Sequence, residues 1–447
     1  MALLGQALFI IVLLFGFGFF ARNVKKLVRN IRLGKEVNRK DKPSERFANM
    51  ARVALGQSKM VKRPIAGFLH IIVYVGFVII NIEVLEIIID GVFGTHRIFS
   101  FLGATYDVLI GAFEILALLV FIGVVLFWIR RNVIRLKRFW ANEMKGWPKN
   151  DGNNILYFEM IIMALFLLMN AADFHLQTLG AEHYTSEAGI VGAFPISQFL
   201  VPLIDGLSIS SLIIVERVAW WLHILGILFF LNYLYYSKHL HILLAFPNTY
   251  FAKLTPQGKF DNLESVKKEV DLMMDPDADP FAAPDASAEA EDPEKFGASD
   301  VKDLNWVQLL NSYTCTECGR CTSECPANQT GKKLSPRKIM MDTRDRLEEV
   351  GANIDENKGE FKDDGKQLLD DYISREELWA CTTCNACVEA CPIGIDPLSI
   401  IVEMRRYLVM EESAAPNELN NAMGNIENNG APWPYNQMDR LNWAEEK

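Results

Sequence analysis

The 447-residue sequence predicts an all-α protein, in which five transmembrane helices precede a helical domain that carries two cysteine clusters. Three observations predict this fold. Long apolar runs crowd the chain before Phe246, all eight cysteines follow Thr314, and half of the residues are hydrophobic although the formal net charge is −10. A negative chain without a basic domain argues against nucleic acid as a partner.

Five apolar segments are long enough to cross a hydrocarbon core about 30 Å thick. The predicted spans are residues 3–20, 65–89, 109–129, 156–179 and 212–246. The shorter run 190–204 contains Pro195 and Pro202, so we interpret it as interfacial or re-entrant. The first span lacks a preceding basic region and a cleavage site, which favours an anchor helix over a cleaved signal.

The cations predict the orientation of the bundle. Between Arg22 and Arg63 there are fourteen Lys and Arg residues against three acids, whereas residues 180–211 carry no Lys or Arg. We therefore expect a protein of the prokaryotic cytoplasmic (inner) membrane, with its N-terminus outside and its C-terminal half in the cytoplasm. The basic connections are interpreted as a topology signal and as contacts with anionic lipid.

Four histidines lie within the predicted spans and are candidate haem ligands: His70, His175, His223 and His241. His223 and His241 are eighteen residues apart, so a continuous helix places them on one face, about 27 Å apart. Depth counting pairs His70 with His241 near the inner side and His175 with His223 near the outer side. Such pairs bind b-type haem, while a hydrogen-bonded structural role is the alternative for each histidine.

Other polar residues near these spans have weaker interpretations. Glu83, Glu86, Glu159, Asn170 and Asp173 are candidates for proton transfer or for binding a quinone head group, although carboxylates at helix ends that reach the interface are the favoured explanation. Lys238 and His239 are expected to face lipid headgroups or a haem propionate.

Two stretches of the first half carry a family resemblance. The segment Gly67-Phe-Leu-His70-Ile-Ile-Val-Tyr-Val-Gly76, and Ser237-Lys-His-Leu-His241 leading into Phe246-Pro-Asn248, resemble the cytochrome b subunit of membrane-bound nitrate reductases and of heterodisulfide-reductase-like complexes. The resemblance covers about residues 1–250 and implies His70, His223 and His241 as haem ligands. The family's remaining ligand falls on Ile80, and His175 is the predicted replacement.

The predicted domains are the cytochrome b-like bundle (1–250), an acidic linker (251–304), a two-cluster domain (305–410) and a partner-docking tail (411–447). Within the linker, residues 261–274 have helix-like spacing. Residues 275–294 hold eight acids and no Lys or Arg, which is typical of a solvated spacer.

The cysteines form two quartets with the same spacing, Cys-x-x-Cys-x-x-Cys-x-x-x-Cys-Pro. Three closely spaced thiolates bind one [4Fe–4S] cluster, and the fourth cysteine typically completes the other cluster. The predicted ligand sets are Cys315, Cys318, Cys321 and Cys391 for one cluster, and Cys381, Cys384, Cys387 and Cys325 for the other. Structural zinc is the alternative, although zinc sites usually use separated pairs.

The insert between the quartets, residues 334–378, is charged and helix-prone, so it favours an α-helical two-cluster domain over a small β-rich ferredoxin. The cations Lys332, Lys333, Arg337 and Lys338 follow the first quartet. A solvated helix start is their favoured interpretation. Tuning of a cluster potential or contact with an acidic partner are the alternatives.

Residues 305–407 resemble the small iron–sulfur subunit of heterodisulfide reductases, through Leu334-Ser-Pro-Arg337 and Leu378-Trp-Ala-Cys381-Thr-Thr-Cys384. The tail Asn425-Ile-Glu-Asn-Asn-Gly-Ala-Pro-Trp433 resembles the segment that precedes a cysteine-rich catalytic domain in fused relatives. No cysteine follows Cys391, so we expect a separate cysteine-rich catalytic subunit to dock on this tail.

Together the resemblances imply an electron-transfer subunit of a quinone-linked oxidoreductase, with two [4Fe–4S] clusters, one or two b haems and menaquinone or another quinone. Electron-transferring flavoprotein or a flavin dehydrogenase is a further candidate partner. The alternative is a membrane-anchored ferredoxin without haem, which serves metallocentre assembly or redox sensing.

Overall fold

The structure is a computed structural model that describes residues 3–185, 189–276 and 295–445. Within these ranges the regular elements are helices, accompanied by isolated β-bridges such as Lys35 with Asn305, and no β-strand forms. The predicted all-α class is therefore confirmed. In chain order the helices are α1 Leu3–Ile31, α2 Pro43–Met50, α3 Pro64–Phe93, α4 Ala104–Asn132, α5 Trp147–Thr178, α6 Ile209–Tyr233, α7 His241–Tyr250, α8 Glu264–Met274, α9 Trp306–Thr314, α10 Arg320–Glu324, α11 Pro326–Gln329, α12 Pro336–Glu356, α13 Leu368–Asp371, α14 Arg375–Trp379, α15 Ala386–Ala390, α16 Pro397–Met410, α17 Asn417–Asn429 and α18 Asn442–Glu445.

Five helices are long and apolar enough to cross a membrane: α1, α3, α4, α5 and α6 with the turn that follows it. This confirms the predicted number of spans. They contain 28 to 32 residues each, longer than the roughly 20 that a bilayer core requires. Several extend beyond the predicted apolar runs because polar residues continue the helix outside the hydrocarbon layer.

The five helices close into a ring, in which α1 packs between α3 and α6, and α4 and α5 complete the circle. Each helix sends a buried side chain into the shared core: Phe9, Ile80, Phe113, Phe166 and Ile224. We call this ring the bundle.

Close helix contact depends on a glycine of α3. A Cβ atom on Gly76 would lie only 2.4 Å from Cγ2 of Val120 on α4. The absence of a side chain therefore allows these two helices to approach closely, as small residues do between membrane helices.

The fifth span does not continue as one helix, which corrects the expected run to Phe246. Helix α6 ends at Tyr233 and the backbone of Ser237 is extended, with φ −121° and ψ 147°. The Ser237 hydroxyl accepts a hydrogen bond from the His239 backbone N–H, and the Lys238 N–H donates to Asp151 of α5 at 3.1 Å. His223 and His241 therefore belong to separate helices and do not share one face.

Two connecting segments complete the N-terminal half. The run expected to be interfacial or re-entrant forms a short 3-10 helix, Ser197–Leu203, that packs on α5. The helix-like spacing in the linker corresponds to α8, Glu264–Met274. The acidic run continues into residues 277–294, which lie outside the described residues.

The cysteine-bearing part, residues 305–410, is called the cysteine domain. It packs directly on one end of the bundle, where Leu27 of α1 and Ala245 of α7 share a buried cluster with Tyr313 and Ile339. We call this end the docked end and the opposite one the distal end.

The cation-rich connections lie at the docked end and bind acids of the cysteine domain. Lys26 pairs with Asp355 at 2.7 Å, Arg63 pairs with Glu324 at 2.9 Å, and Lys62 pairs with Glu389. Contact with lipid is therefore not the main role of these three cations.

Candidate functional site

The eight cysteines surround two cavities of the cysteine domain. The first cavity is lined by Cys315, Cys318, Cys321 and Cys391, and the second by Cys325, Cys381, Cys384 and Cys387. Cys387 lines the first cavity as well. Each predicted ligand set, with three cysteines from one quartet and the fourth from the other, thus lies around one cavity. Ligation by these cysteines stays a prediction.

The two quartets adopt the same backbone path. Glu317 and Thr383 have φ of 53° and 56°, and the next equivalent pair, Gly319 and Asn385, has φ of 68° and 60°. These left-handed residues turn the chain between cysteines, and a short helix, α10 or α15, then leads to the fourth cysteine. The repeat in sequence is therefore a repeat in conformation.

Two backbone N–H groups donate to cysteine sulfur: Thr383 to Cys381 at 3.4 Å and Ile395 to Cys391 at 3.3 Å. Such hydrogen bonds to sulfur tune the potential of iron–sulfur clusters.

The donor arrangement differs from that of a single metal ion. Among the described residues, no three His, Cys, Asp or Glu side chains are gathered closely enough to hold one ion. Four cysteines spread around a cavity instead fit a cubane cluster, whose thiolate ligands bind separate irons.

Burial keeps the thiols neutral when no metal is bound. It raises the pKa of Cys315 and Cys387 to about 12, and the pKa of Cys391 to about 11. Since the thiolate is the nucleophile, these neutral thiols are poor nucleophiles, and a metal that bound them would displace their protons.

The first cavity faces the bundle. Arg320, which lines this cavity, donates to the backbone oxygens of Lys59 and Met60 at 3.3 Å. Arg337, also in its lining, donates to the Arg138 carbonyl at 2.6 Å and pairs with Glu143 at 2.7 Å.

Arg337 is fully buried, so its expected place in a solvated helix start is wrong. The acid that holds it belongs to a connection between membrane helices and is distant in sequence, which is why the local pattern around Arg337 gave no signal.

A buried charge cluster joins the first quartet to the bundle. The Glu317 carboxylate pairs with Lys238 and with Arg344, the latter at 2.7 Å. Burial would raise the pKa of Glu317, but these two cations lower it below its ordinary value. Lys238 therefore binds the cysteine domain, and its expected position among headgroups or haem propionates is corrected.

His70 and His241 lie side by side near this charge cluster, with ring centroids 6.5 Å apart. Nδ1 of His70 is buried and has no hydrogen-bond partner within the part of the chain that the structure describes. Nδ1 of His241 lies 3.1 Å from the Lys238 carbonyl oxygen. His239 packs against His241 at 5.4 Å between ring centroids, and its Nε2 lies 3.6 Å from Glu159.

His175 and His223 are not brought together. His223 lies opposite Phe166 of α5, with ring centroids 5.9 Å apart, and its Nδ1 is 3.0 Å from the Ile162 carbonyl oxygen. His175 is nine residues further along α5 than Phe166, about 14 Å at 1.5 Å per residue, and contacts Asp205. The expected outer pair is therefore corrected.

Comparison with known proteins defines the class of the cysteine domain. Residues 314–395 match the family described as 4Fe-4S dicluster domain. The chain thus combines a ferredoxin-type 4Fe-4S domain with a bundle of apolar helices.

Two relatives align with almost the whole chain. The probable iron-sulfur-binding oxidoreductase FadF of Bacillus subtilis (strain 168) is 28% identical over 98% of this chain and 60% of its own length. The EtfAB:quinone oxidoreductase of Syntrophomonas wolfei subsp. wolfei is 27% identical over 98% of this chain and 58% of its own length. The chain therefore spans about three fifths of these relatives.

A third relative matches about a quarter of the chain. It is a subunit of the ferredoxin/F(420)H(2)-dependent CoB-CoM heterodisulfide reductase of Methanosarcina acetivorans, and it is 35% identical over 108 residues, which are 24% of this chain and 52% of the relative. No solved structure matches the chain. These relatives are oxidoreductases or their subunits, which supports an electron-transfer role.

Proposed function

We propose that the protein is an electron-transfer subunit of a membrane-bound, quinone-linked oxidoreductase. Electrons pass between a cytoplasmic partner, two [4Fe–4S] clusters, one b haem and a quinone. The observation that carries the proposal is the order in which the sites lie in space. The exposed second cavity, the first cavity against the bundle and a histidine pair in the bundle follow one another.

The exposed start of this path is the second cavity, because Cys384 is exposed at the surface. Cys387 lines both cavities, so the two ligand sets are adjacent. [4Fe–4S] clusters supply one-electron redox chemistry at such sites. A partner that docks at Cys384 therefore reaches the first cavity through the second.

The step into the bundle depends on Lys238. Its side chain binds Glu317 between Cys315 and Cys318, and its carbonyl oxygen accepts the His241 Nδ1 proton. The hydrogen bond to the Lys238 carbonyl places the proton on Nδ1 of His241 and leaves Nε2 available to bind a metal. Metal-bound histidines commonly have such a hydrogen-bond acceptor at their other ring nitrogen.

The spacing of His70 and His241 fits a bis-histidine haem. Two imidazoles that bind one metal from opposite sides, with metal–nitrogen bonds of about 2.0–2.1 Å, have ring centroids roughly 6 Å apart. The observed 6.5 Å agrees with this value. We propose one haem on this pair and no second haem on His175 and His223.

The relatives support the choice of partners. One of them is named an EtfAB:quinone oxidoreductase, and another belongs to a heterodisulfide reductase. We propose electron-transferring flavoprotein or a flavin dehydrogenase as the electron donor. A cysteine-rich heterodisulfide-reductase-like catalytic unit and menaquinone are the further components, and the cysteine domain faces the cytoplasm.

Haem content and quinone reduction test the proposal. The purified full chain is expected to show b-type bands in a reduced-minus-oxidised spectrum, and to transfer electrons from reduced methyl viologen to menaquinone-4. His70→Ala and His241→Ala should each remove the haem bands, whereas His175→Ala should keep them. Wild-type protein without b-type bands would instead favour the membrane-anchored ferredoxin.

A further inference from the structure

A second buried polar site occupies the distal end of the bundle. A cavity between α3, α5, α6 and the connection after α3 is lined by Glu83, Asp173, Glu216, Arg97 and His96, among others. We call it the distal cavity. It has space for a few water molecules, and its polar lining meets the requirement that buried water has partners. Glu83 is thirteen residues beyond His70 on α3, about 20 Å along the helix axis.

The charges around the distal cavity do not balance. Six carboxyl groups are buried there, on Glu83, Glu86, Asp90, Glu114, Asp173 and Glu216. Two guanidinium groups face them: Arg97 binds Asp173 at 2.6 Å, and Arg217 binds Glu216. In the described ranges, four carboxyl groups are thus left without a dedicated cation.

Three of these four have hydrogen-bond donors instead. Glu86 accepts from the Phe99 N–H and the Tyr106 hydroxyl, both at 2.9 Å. Asp90 accepts from the Arg97 N–H at 2.7 Å, and Glu114 accepts from the Ile196 N–H at 2.8 Å. These contacts supply hydrogen-bond donors to all three carboxyl groups.

Glu83 is different, because its Oε2 atom is buried and has no hydrogen-bond partner among the described residues. Only 3% of the residue is exposed, and it lines the distal cavity. Burying an ionised carboxylate without a hydrogen-bond partner costs free energy, so this environment favours the neutral, protonated acid. Glu83 is therefore suited to hold one proton that it can give to, or take from, a molecule in the cavity.

Between Glu83 and the distal surface lie ionisable side chains that become more exposed towards that surface. Asp173 lies on the cavity wall, and its carboxylate is 3.5 Å from Nε2 of His96, whose side chain is partly exposed. His96 in turn contacts the His183 ring at 5.7 Å between centroids. Histidine gains and loses protons near neutral pH, which suits the entrance of a proton path.

We propose that the distal cavity is the proton-exchange site of quinone reduction, with Glu83 as its proton carrier. The proposal rests on the proposed function. A quinone that takes two electrons also takes two protons to form the quinol. Glu83 donates a proton to a quinone oxygen through cavity water, and is reprotonated from the distal surface by way of Asp173 and His96. This cycle occurs twice for each quinol.

The test compares Glu83→Gln and Glu83→Asp with an exposed carboxyl of the same end, Glu182→Gln. The full chain with its clusters and haem is placed in liposomes with menaquinone-4 and reduced by methyl viologen. Glu83→Gln should slow quinol formation at least tenfold while cluster and haem reduction stay within twofold of wild type. Glu83→Asp should recover part of the rate, and Glu182→Gln should match the wild type.

Infrared spectroscopy supplies a readout that does not depend on quinone. The reduced-minus-oxidised spectrum should contain a protonated carboxyl band that Glu83→Gln removes and that Glu182→Gln keeps. A normal rate and an unchanged band in Glu83→Gln would overturn the proposal, as would equal loss in Glu83→Gln and Glu83→Asp. If the wild type itself reduced no quinone, the proposed function would fail instead.

Discussion

Lys238 lies at the contact between the histidine pair and the first cavity, so its replacement probes the proposed electron path. Lys238→Met removes one positive charge from Glu317 and leaves Arg344 in place at 2.7 Å. The Lys238 carbonyl, which binds His241, is unchanged by the substitution. We therefore expect the haem content to stay at the wild-type level while the potential of the first cluster changes.

The sign and size of this change follow from electrostatics. A cation stabilises the reduced, more negative cluster, so Lys238→Met should lower the reduction potential and Glu317→Gln should raise it. Glu317 is within two residues of Cys315 and Cys318, a chain distance of at most about 7 Å. At a separation of roughly 8 Å and an effective dielectric constant of about 20, the interaction energy between one side-chain charge and the charge added to the cluster on reduction is about 2 kcal/mol. This corresponds to about 90 mV for one electron.

An EPR-monitored redox titration of the purified protein measures both variants. Lys302→Met serves as the matched control for loss of one positive charge, because the Lys302 ammonium lies over the Phe361 ring, outside both cysteine quartets. Shifts of the same direction in Lys238→Met and Glu317→Gln would indicate a loosened domain contact and refute the electrostatic explanation. The absence of any shift would refute it equally.

Two further predictions concern packing and pH. Gly76→Ala should destabilise the bundle by about 1–3 kcal/mol through overpacking against Val120. Gly18→Ala should not, because a Cβ atom there meets no described atom within 4 Å. Thermal unfolding in detergent compares the two variants, and equal effects would contradict the packing explanation. Burial opposes ionisation of Glu143, but Arg337 lowers its pKa below the ordinary 4.5. The stabilisation by the ionised Glu143 carboxylate should therefore be complete above about pH 4.5 and be lost as the pH falls further. The melting temperatures of wild type and Glu143→Gln should accordingly converge on acidification. A difference that grew at low pH would contradict this sign.

The parts of the fold that local chemistry determines could be predicted from the sequence. Five apolar runs form helices because the membrane leaves backbone groups no other partner. The cysteine grouping around two cavities also follows a local rule, since the same spacing produces the same turns at Glu317 and Thr383. These features can be predicted without knowledge of contacts between residues distant in sequence.

The error in the outer histidine pair has a definite cause. Counting depth inward from residue 246 treats the fifth helix as continuous. Helix α6 in fact ends at Tyr233, and α5 begins at Trp147 rather than at residue 156. The two errors place His223 too far from the docked end and His175 too close to it. The break itself depends on Asp151, a residue 87 positions from Lys238, and local patterns do not report such a contact.

The exchange of the fourth cysteine between quartets has a consequence for biogenesis. A cluster in the first cavity would link Cys315 to Cys391 and so close a loop of more than 70 residues, a constraint on the unfolded chain comparable to that of a long-range disulfide. A cluster in the second cavity would close an overlapping loop from Cys325 to Cys387. With these predicted ligand sets, neither quartet would complete its cluster alone, so iron insertion would wait until both halves have met. Assembly of the two clusters should therefore be mutually dependent, and loss of one should open the loop that holds the other.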